Sequence, residues 1–586
     1  PGDWQPDCMA TWMTDLDGDG TYEWSTTALA TGSYEVKVAH GRSWAENYGT
    51  GGVHDGPNIP FSAASGELVE FSYDLETHLL TIEVADPPLP GAGQLAAHWL
   101  DETTIAWPQA LLDGAEPTDL TWSLHHAAGG GLELVDGEVA GADGAAALTL
   151  IEGGLPAELA ERFPHLADHV ALLVEGLTTA QVEEVLTGQV MVLQRDADGP
   201  SAFTGVQIPG VLDDLYAAAA ADRTLGVDWS QDGAPSLALW APTATDVDLH
   251  LWTDPQGADA PAVDGDPEVI DLTRQDDGTW TVEGEPDWED AAYRYAVTVY
   301  APTVGEVVTN EVTDPYAVGL TENSTHSVLV DLDDARWAPE LWTDTPRPVV
   351  ERPVDRTIYE LHVRDFSITD ETVPEELRGT YLAFAEEDSA GMQHLRSLAE
   401  AGMNTVHLLP TFDIATIEED PAARTEPAIP QDAGPASEEQ QAAVTEVRDL
   451  DGFNWGYDPW HFSTPEGSYA TERDGGARTA QFRTMVGGLH DAGLQVVLDK
   501  VYNHTNSSGQ DEKSVLDRVV PGYYHRQNAA GNVETSTCCQ NVATEHAMAE
   551  KLMVDSVLVW ARDYGVDGFR FDLMGHHSRD NMVAVR

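Results

Sequence analysis

The chain has 586 residues, 102 Asp plus Glu against 28 Lys plus Arg, and a formal net charge of -74 at pH 7. That balance excludes a nucleic-acid binder and an anionic membrane surface as partner, because both are held by clustered Lys and Arg. Length points to roughly three to five domains, and no apolar run approaches the ~18 residues of a membrane span. Lys37, Lys500, Lys513 and Lys551 are the only Lys, so the cations are nearly all Arg. Carboxylate self-repulsion is screened when salt shortens the Debye length, which points to a salt-adapted or strongly acidic secreted protein. The melting temperature is expected to rise from low to molar salt, and an unchanged value would contradict this reading. The sequence starts at Pro1 without a signal peptide and stops at Arg586 after a strand-turn pattern, so both ends read as cut.

Residues 1–86 alternate polar and apolar residues in short runs such as TYEWSTTAL, GSYEVKVAH and ELVEFSYDL, the pattern of a small β-sandwich. Asp15 to Gly20 has the carboxylate spacing of a calcium loop, but its twelfth position would be Thr26 rather than a bidentate Glu, so a tight turn is expected. Trp4, Trp12, Trp24 and Trp44 are of the type that stacks on sugar rings or fills a core. After the linker DPPLPGAGQ, residues 95–222 read as a β-rich domain with small helices, and residues 225–335 as a second sandwich.

From 352 to 586 strands alternate with helices, from TIYELHVRDFS to GFRFDLMG, which implies a parallel sheet. The expected fold is multidomain, with N-terminal β-sandwich modules followed by the first half of a (β/α)8 TIM barrel. Gly402, Gly493 and Gly565 sit where left-handed caps are wanted, and Ser389 where an N-cap is. Asp413 to Asp451 holds eleven acids and two Arg without periodicity and reads as a solvated insertion.

Candidate chemistry gathers at the expected strand ends. Asp499 closes LDKVYNHT, with Asn503 and His504 on the loop above it; Arg570 and Asp572 are two apart on a strand and so point the same way. An Arg beside a carboxylate favours the ionised state that a nucleophile needs. Trp455, Tyr457, Trp460 and Tyr469 crowd the preceding loop. Each has a bland alternative, a structural ion pair or core aromatics; the joint placement favours a site. Cys538 and Cys539 are adjacent, with no His or Cys at zinc spacing, and read either as two half-buried thiols or as a strained vicinal disulfide; no metal site is expected there.

The strings YELHVRDFS, FNWGYDP, LDKVYNHT and DGFRFDLMGHH resemble the α-amylase superfamily, glycoside hydrolase family 13, in its type I pullulanase and limit dextrinase branch. PEGSYAT, AQFRTMV and CCQNVATEHAMAEKLMVDSV extend the resemblance, and AHWLDETTIAWP and SLALWAPTATDVDLHLW carry it into the upstream modules. It implies hydrolysis of α-1,6 branch linkages in pullulan, starch or limit dextrins by a retaining double displacement. Asp572 would be the nucleophile, Arg570 would hold it, His504 and Tyr457 would meet the sugar before the scissile bond, and Asp499 would brace the site. Trp455, Asn503 and His577 complete the expected substrate-binding set. The general acid would lie on a fifth strand, so this length alone is expected to be inactive. Three positions depart from the family pattern: Phe453 for Tyr, Lys500 for Val, and His576 for Tyr, the last two expected to flank the site. The resemblance implies no organic cofactor, leaves calcium open, and gives an α-glucan partner, a monomer and an extracellular or cell-surface location. The alternatives are a non-catalytic glucan-binding protein and a branching or glucan-transferring enzyme on the same scaffold.

Overall fold

The computed structural model describes residues 11–15, 20–41, 43–85, 88–253, 263 and 265–586. Trp4, Cys8 and the centre of the calcium-like loop, 16–19, lie outside them; of that loop, Asp15 Oδ2 accepts from the Gly20 amide at 3.1 Å. The chain divides into two compact units, residues 1–92 and 93–586. No described helix is long and apolar enough to cross a membrane.

In the first unit Thr21–Thr26, Leu68–Asp74 and Leu80–Ala85 form one antiparallel sheet, while Gly32–Val36 pairs with Ile59–Ala63. Their alternating side chains meet on a small core of Leu29, Ala63, Val69 and Phe71. Trp24 belongs to this core, its ring 5.2 Å from Phe71, whereas Trp44 is exposed.

The second unit is continuous. Seven strands between Ala97 and Gln207 close into a barrel, antiparallel except where Val206 and Gln207 run parallel to Ala97 and His98. This is the closed barrel among the described residues, and the period-two pattern alone did not distinguish it from an open β domain. Two sheets follow, one built around Pro235–Trp240 and the other around Asp246–Trp252 and Ala292–Ala301. The apolar core runs without a break from Trp99 through Trp240 and Tyr295 to Tyr523 and Leu552. Modules separable by pattern are therefore packed as one body.

The last part is an open parallel sheet of four strands in chain order, β1 (Ile358–Leu361), β2 (Thr405–Leu408), β3 (Gln495–Lys500) and β4 (Gly568–Phe571). Helices α1 (Ala390–Glu400), α2 (Gly476–Asp491) and α3 (Ala547–Arg562) connect them. β2 and β3 are buried at every position, as parallel strands covered on both faces should be, while β1 and β4, the two edges, are partly exposed. The helix ends follow the local signals: Ser389 Oγ accepts from the Met392 amide at 3.2 Å, and Gly402, Gly493 and Gly565 have φ of +105°, +83° and +79°.

The acidic insertion departs from expectation. Its first residues are buried, with Asp413 and Glu419 among the least exposed carboxylates, while its outer part carries a helix, Glu439–Val447, with no buried residue. Periodicity fails there because the helix packs nothing, and the buried carboxylates find their partners far away in the chain.

Candidate active site

Parallel register places Asp499 of β3 beside Arg570 of β4 at the C-terminal edge of the sheet. Arg570 Nη1 donates to Asp499 Oδ1 at 2.8 Å and to Asp572 Oδ1 at 2.9 Å, so one guanidinium nitrogen ties both carboxylates. Asp499 is buried, Asp572 is 14% exposed and Arg570 is 45% exposed, so the pair opens toward solvent on the Arg570 side. Tyr457 OH donates to Asp499 Oδ2 at 2.8 Å. Burial and that bond raise the pKa of the phenol, which stays protonated. Asn503 Nδ2 donates to the Asp572 carbonyl at 2.9 Å and to its Oδ2 at 3.3 Å, fixing the carboxylate from the other side. His504 Nδ1 lies 2.6 Å from Asn503 Oδ1, its Nε2 lies 2.8 Å from the Tyr457 carbonyl, and burial lowers its affinity for a second proton.

Six of the residues singled out in the sequence thus form one bonded cluster: Asp572, Arg570, Asp499, Tyr457, Asn503 and His504. Trp455 stands on the loop at 61% exposure, available to a ligand rather than packed. His577 has its Nδ1 3.0 Å from Thr544 Oγ1 and its ring buried, which with Arg526 and His576 drops its pKa to about 4. Phe453 is 40% exposed beside His362, and His576 is half-buried.

Lys500 does not flank the cleft as expected. Alternation along β3 sends it to the opposite face, where its Nζ donates to the Phe462 carbonyl at 2.8 Å and sits 4.3 Å from the Trp560 ring centre and 4.5 Å from that of Phe412. Burial lowers its pKa well below that of an exposed amine. It belongs to the layer between sheet and helices and does not touch the carboxylates' open side.

Two neighbours escaped the sequence reading. His407 of β2 has its Nε2 3.6 Å from Asp499 Oδ2 and its Nδ1 3.1 Å from Glu360 Oε2. His362, just past β1, has Nε2 2.8 Å from the Asn454 carbonyl and 3.1 Å from Tyr469 OH. A polar ring inside an otherwise apolar strand was the available signal for His407.

A buried charge network gathers side chains from the segment between β2 and α2. Asp413 accepts from Ser324 Oγ at 2.5 Å and meets His461 Nδ1 at 2.6 Å; Glu419 pairs with Arg478 Nη2 at 3.0 Å; Glu466 accepts from the Ile414 and Ser468 amides, both at 2.7 Å. The three carboxyls offer oxygens within 4.8 Å of one another, but Arg478, itself fully buried, supplies the positive charge that a cation would. Burial, and for Glu466 the neighbouring Glu419 and Asp413, raise the pKa of Glu419 from 4.5 to about 7 and of Glu466 from 4.5 to about 8.

The folded chain therefore binds protons here more tightly than the unfolded one, and this contribution to stability is fully present below about pH 4.5 and declines up to about pH 8. Thermal melts of the wild type and Glu466→Gln across that window should diverge, the wild type losing more stability as pH rises. Parallel curves would contradict the assignment.

The comparisons agree along the chain. Residues 1–80 match the Pullulanase X25 domain, 94–214 the Pullulanase N2 domain, and 224–317 Carbohydrate-binding module 48 (Isoamylase N-terminal domain). "Pullulanase 1, chloroplastic" of Arabidopsis thaliana is 39% identical over 496 residues, 84% of this chain and 49% of that protein. A Klebsiella pneumoniae pullulanase is 38% identical over 537 residues, 84% of this chain and 48% of that one. The maltotriose complex of Klebsiella pneumoniae PulA superimposes with a TM-score of 0.77 at 36% identity, covering 85% of this chain and 56% of that one. This chain spans about half the length of the curated relatives it matches. Modules and relatives agree: the chain carries pullulanase domains over residues 1–80 and 94–214 and carbohydrate-binding module 48 over 224–317, and over 84% of its length it is similar to pullulanases.

Proposed function

We propose that these residues carry the substrate-binding modules and the nucleophile of an enzyme that hydrolyses α-1,6-glucosidic branch linkages in pullulan, starch or limit dextrins. The observation that carries the reading is Asp572, held from one side by Arg570 at 2.9 Å and from the other by Asn503 at 3.3 Å, with one flank open. A carboxylate so restrained presents an oxygen to an anomeric carbon without rotating freely. Asp572 attacks and forms a covalent glycosyl-enzyme; water then displaces it with net retention. Arg570 positions the nucleophile and neutralises Asp499, which braces the guanidinium. Tyr457 and Trp455 offer ring faces to the sugar before and around the scissile bond, and His504 and Asn503 offer hydrogen bonds to it.

The four parallel strands in chain order are read as the first half of a (β/α)8 barrel, because chemistry collects at their C-terminal ends and both edge strands are left partly exposed. In this reading the general acid of a retaining pair, about 5–5.5 Å from the nucleophile, comes from a later strand of the complete barrel. The 586-residue chain should therefore bind maltotriose or pullulan yet release no reducing ends from pullulan. Measurable release by the purified chain would overturn the division of labour, and loss of glucan binding would overturn the assignment of the modules. The proposed setting is extracellular or cell-surface, consistent with an acidic, Lys-poor sequence.

A further inference from the structure

Between the segment 224–317 and the loop that follows β3 lies a cavity of about 330 Å³, none of whose walls belongs to the Asp572 cluster. Its frame is tight. Gly509 and Gly522, at φ +61° and +75°, bring backbone close to its lining: a Cβ would stand 3.6 Å from Thr303 Cγ2 at the first and 3.5 Å from the Gln527 amide at the second. Asp517, 3% exposed, ties the two glycines together, its Oδ2 accepting from the Gly509 amide at 2.8 Å and its Oδ1 from the Gly522 amide at 3.3 Å. Its Oδ2 also lies 3.2 Å from His525 Nδ1. The turn that carries Asn532 is fixed as well. Asn528 Oδ1 accepts from the Ala530 and Asn532 amides at 3.0 and 3.2 Å, and the Ala529 carbonyl accepts from the Leu95 amide at 3.0 Å.

The frame is satisfied, but the lining is not. Among the described residues, no hydrogen bond reaches the side chains of Thr303, Gln510, Gln527 and Asn532, all of which line the cavity. Ser508 Oγ donates to Gln540 Oε1 at 3.0 Å, which leaves the Gln540 amide hydrogens unspent. No Lys or Arg lines the cavity to hold an anion, and its single carboxylate is occupied by the frame, so a divalent cation finds no charged ligand. An apolar ligand would strip water from these amides and the hydroxyl without replacing it. What the lining fits is a neutral ligand dense in hydroxyl groups, which donate and accept as side-chain amides do.

The position narrows the ligand further. Gln540 pairs with Thr505 and Asn541 with His504, so one wall of the cavity is carried by the strand that adjoins His504. The opposite wall, Pro302 and Thr303, is the turn between Ala292–Ala301 and Glu306–Val312, inside the segment that matches Carbohydrate-binding module 48. We propose that this cavity is a second α-glucan subsite, binding the end of a maltooligosaccharide through the amides of Gln510, Gln527 and Asn532 and the Thr303 hydroxyl. The choice of α-glucan among neutral polyols rests on the function proposed above, which gives both neighbouring elements to the same polymer. The volume is at the low end of ligand pockets and takes roughly one or two glucosyl units. No aromatic ring lines it, so stacking adds nothing and the Kd is on the order of 1 mM. A polymer already held in the cleft meets such a subsite at raised effective concentration, where weak contacts suffice.

The test is hydrogen–deuterium exchange on the 586-residue chain with maltotriose up to about 20 mM, well above that Kd. Peptides covering 507–512 and 526–533 should slow, as should those around Trp455 and Tyr457 in the cleft. Gln527→Ala and Asn532→Ala should each raise the Kd read from the cavity peptides roughly 3–10-fold, with cleft protection and melting temperature unchanged. Trp455→Ala should weaken protection in the cleft and spare that of the cavity. Protection in the cleft alone overturns the second subsite and leaves the cleft reading standing. Cavity protection that survives both amide substitutions, or that vanishes with Trp455→Ala, also overturns the subsite. Cavity protection with none in the cleft supports the subsite and contradicts the cleft reading, whereas protection at neither place overturns both.

Discussion

Replacing Arg478 with Met should lower the unfolding free energy by about 3–5 kcal/mol, the usual cost of removing one partner from a buried ion pair. Arg478 is 0% exposed and spends its guanidinium on the carbonyls of Arg473 at 2.5 Å, Pro465 at 3.2 Å and Thr321 at 3.0 Å, and on Glu419 at 3.0 Å. Thr321 lies in the sandwich-forming part of the chain and Pro465 beside the parallel sheet, so one side chain joins the two. Burial alone would make Arg478 less basic, but Glu419, Asp413 and Glu466 outweigh it and raise its pKa. Met fills much of the volume and satisfies none of these groups, leaving three carboxyls without their counter-charge. Chemical denaturation at pH 5 and pH 8 is the measurement. The loss should be larger at pH 8, where more of the carboxyls must ionise, and Glu419→Gln should recover part of it in the Arg478→Met background. A loss under ~1 kcal/mol, the scale of an exposed pair, would show that the network is solvated.

Replacing Arg570 with Ala should lower kcat for α-1,6 hydrolysis by roughly 10²–10³, the scale seen when one pre-set electrostatic partner is removed. On the proposed reading that later strands complete the barrel, the measurement uses this chain joined to the part of the Klebsiella pneumoniae relative beyond the aligned residues. The guanidinium holds Asp499 at 2.8 Å and Asp572 at 2.9 Å, so its loss frees the proposed nucleophile and leaves buried Asp499 with Tyr457 as its bonded donor. KM for pullulan should change much less than kcat, because Arg570 acts on the attacking carboxylate rather than on the bound sugar. Lys should restore only part of the rate, since an ammonium on a flexible stem is not held by a rigid planar group in the position from which Nη1 bonds both carboxylates, at 2.8 and 2.9 Å. A mainly KM effect would make Arg570 a substrate contact instead.

Much of the cluster was legible in the residues because the relevant signals are local. Alternation along GFRFD puts Arg570 and Asp572 on one side, and helix-capping chemistry puts Ser389, Gly402, Gly493 and Gly565 at helix ends. The pairing of Asp499 with Arg570 needed strand order, which the repeated strand-helix pattern supplied. What stayed hidden depends on partners remote in sequence. Glu419 and Arg478 are 59 residues apart, and Asp413 looked like part of a solvated acidic run until His461 and Ser324 were placed against it. Lys500 was misplaced because proximity to Asp499 in sequence means opposite faces on a strand. His577, next to His576 and expected at the sugar, has its Nδ1 3.0 Å from Thr544 Oγ1, a contact remote in sequence that follows a turn with Leu573 at φ +43°.

The claim on which the functional account rests is that Asp572 attacks the anomeric carbon. A 2-fluoro-glucosyl inactivator with a good leaving group traps such an intermediate, because the fluorine slows its hydrolysis. In the complete-barrel enzyme, mass spectrometry of the inactivated protein should find one added glycosyl group on the peptide containing Asp572. An inactivated enzyme with that peptide unmodified, or with the label on another carboxylate, would contradict the account.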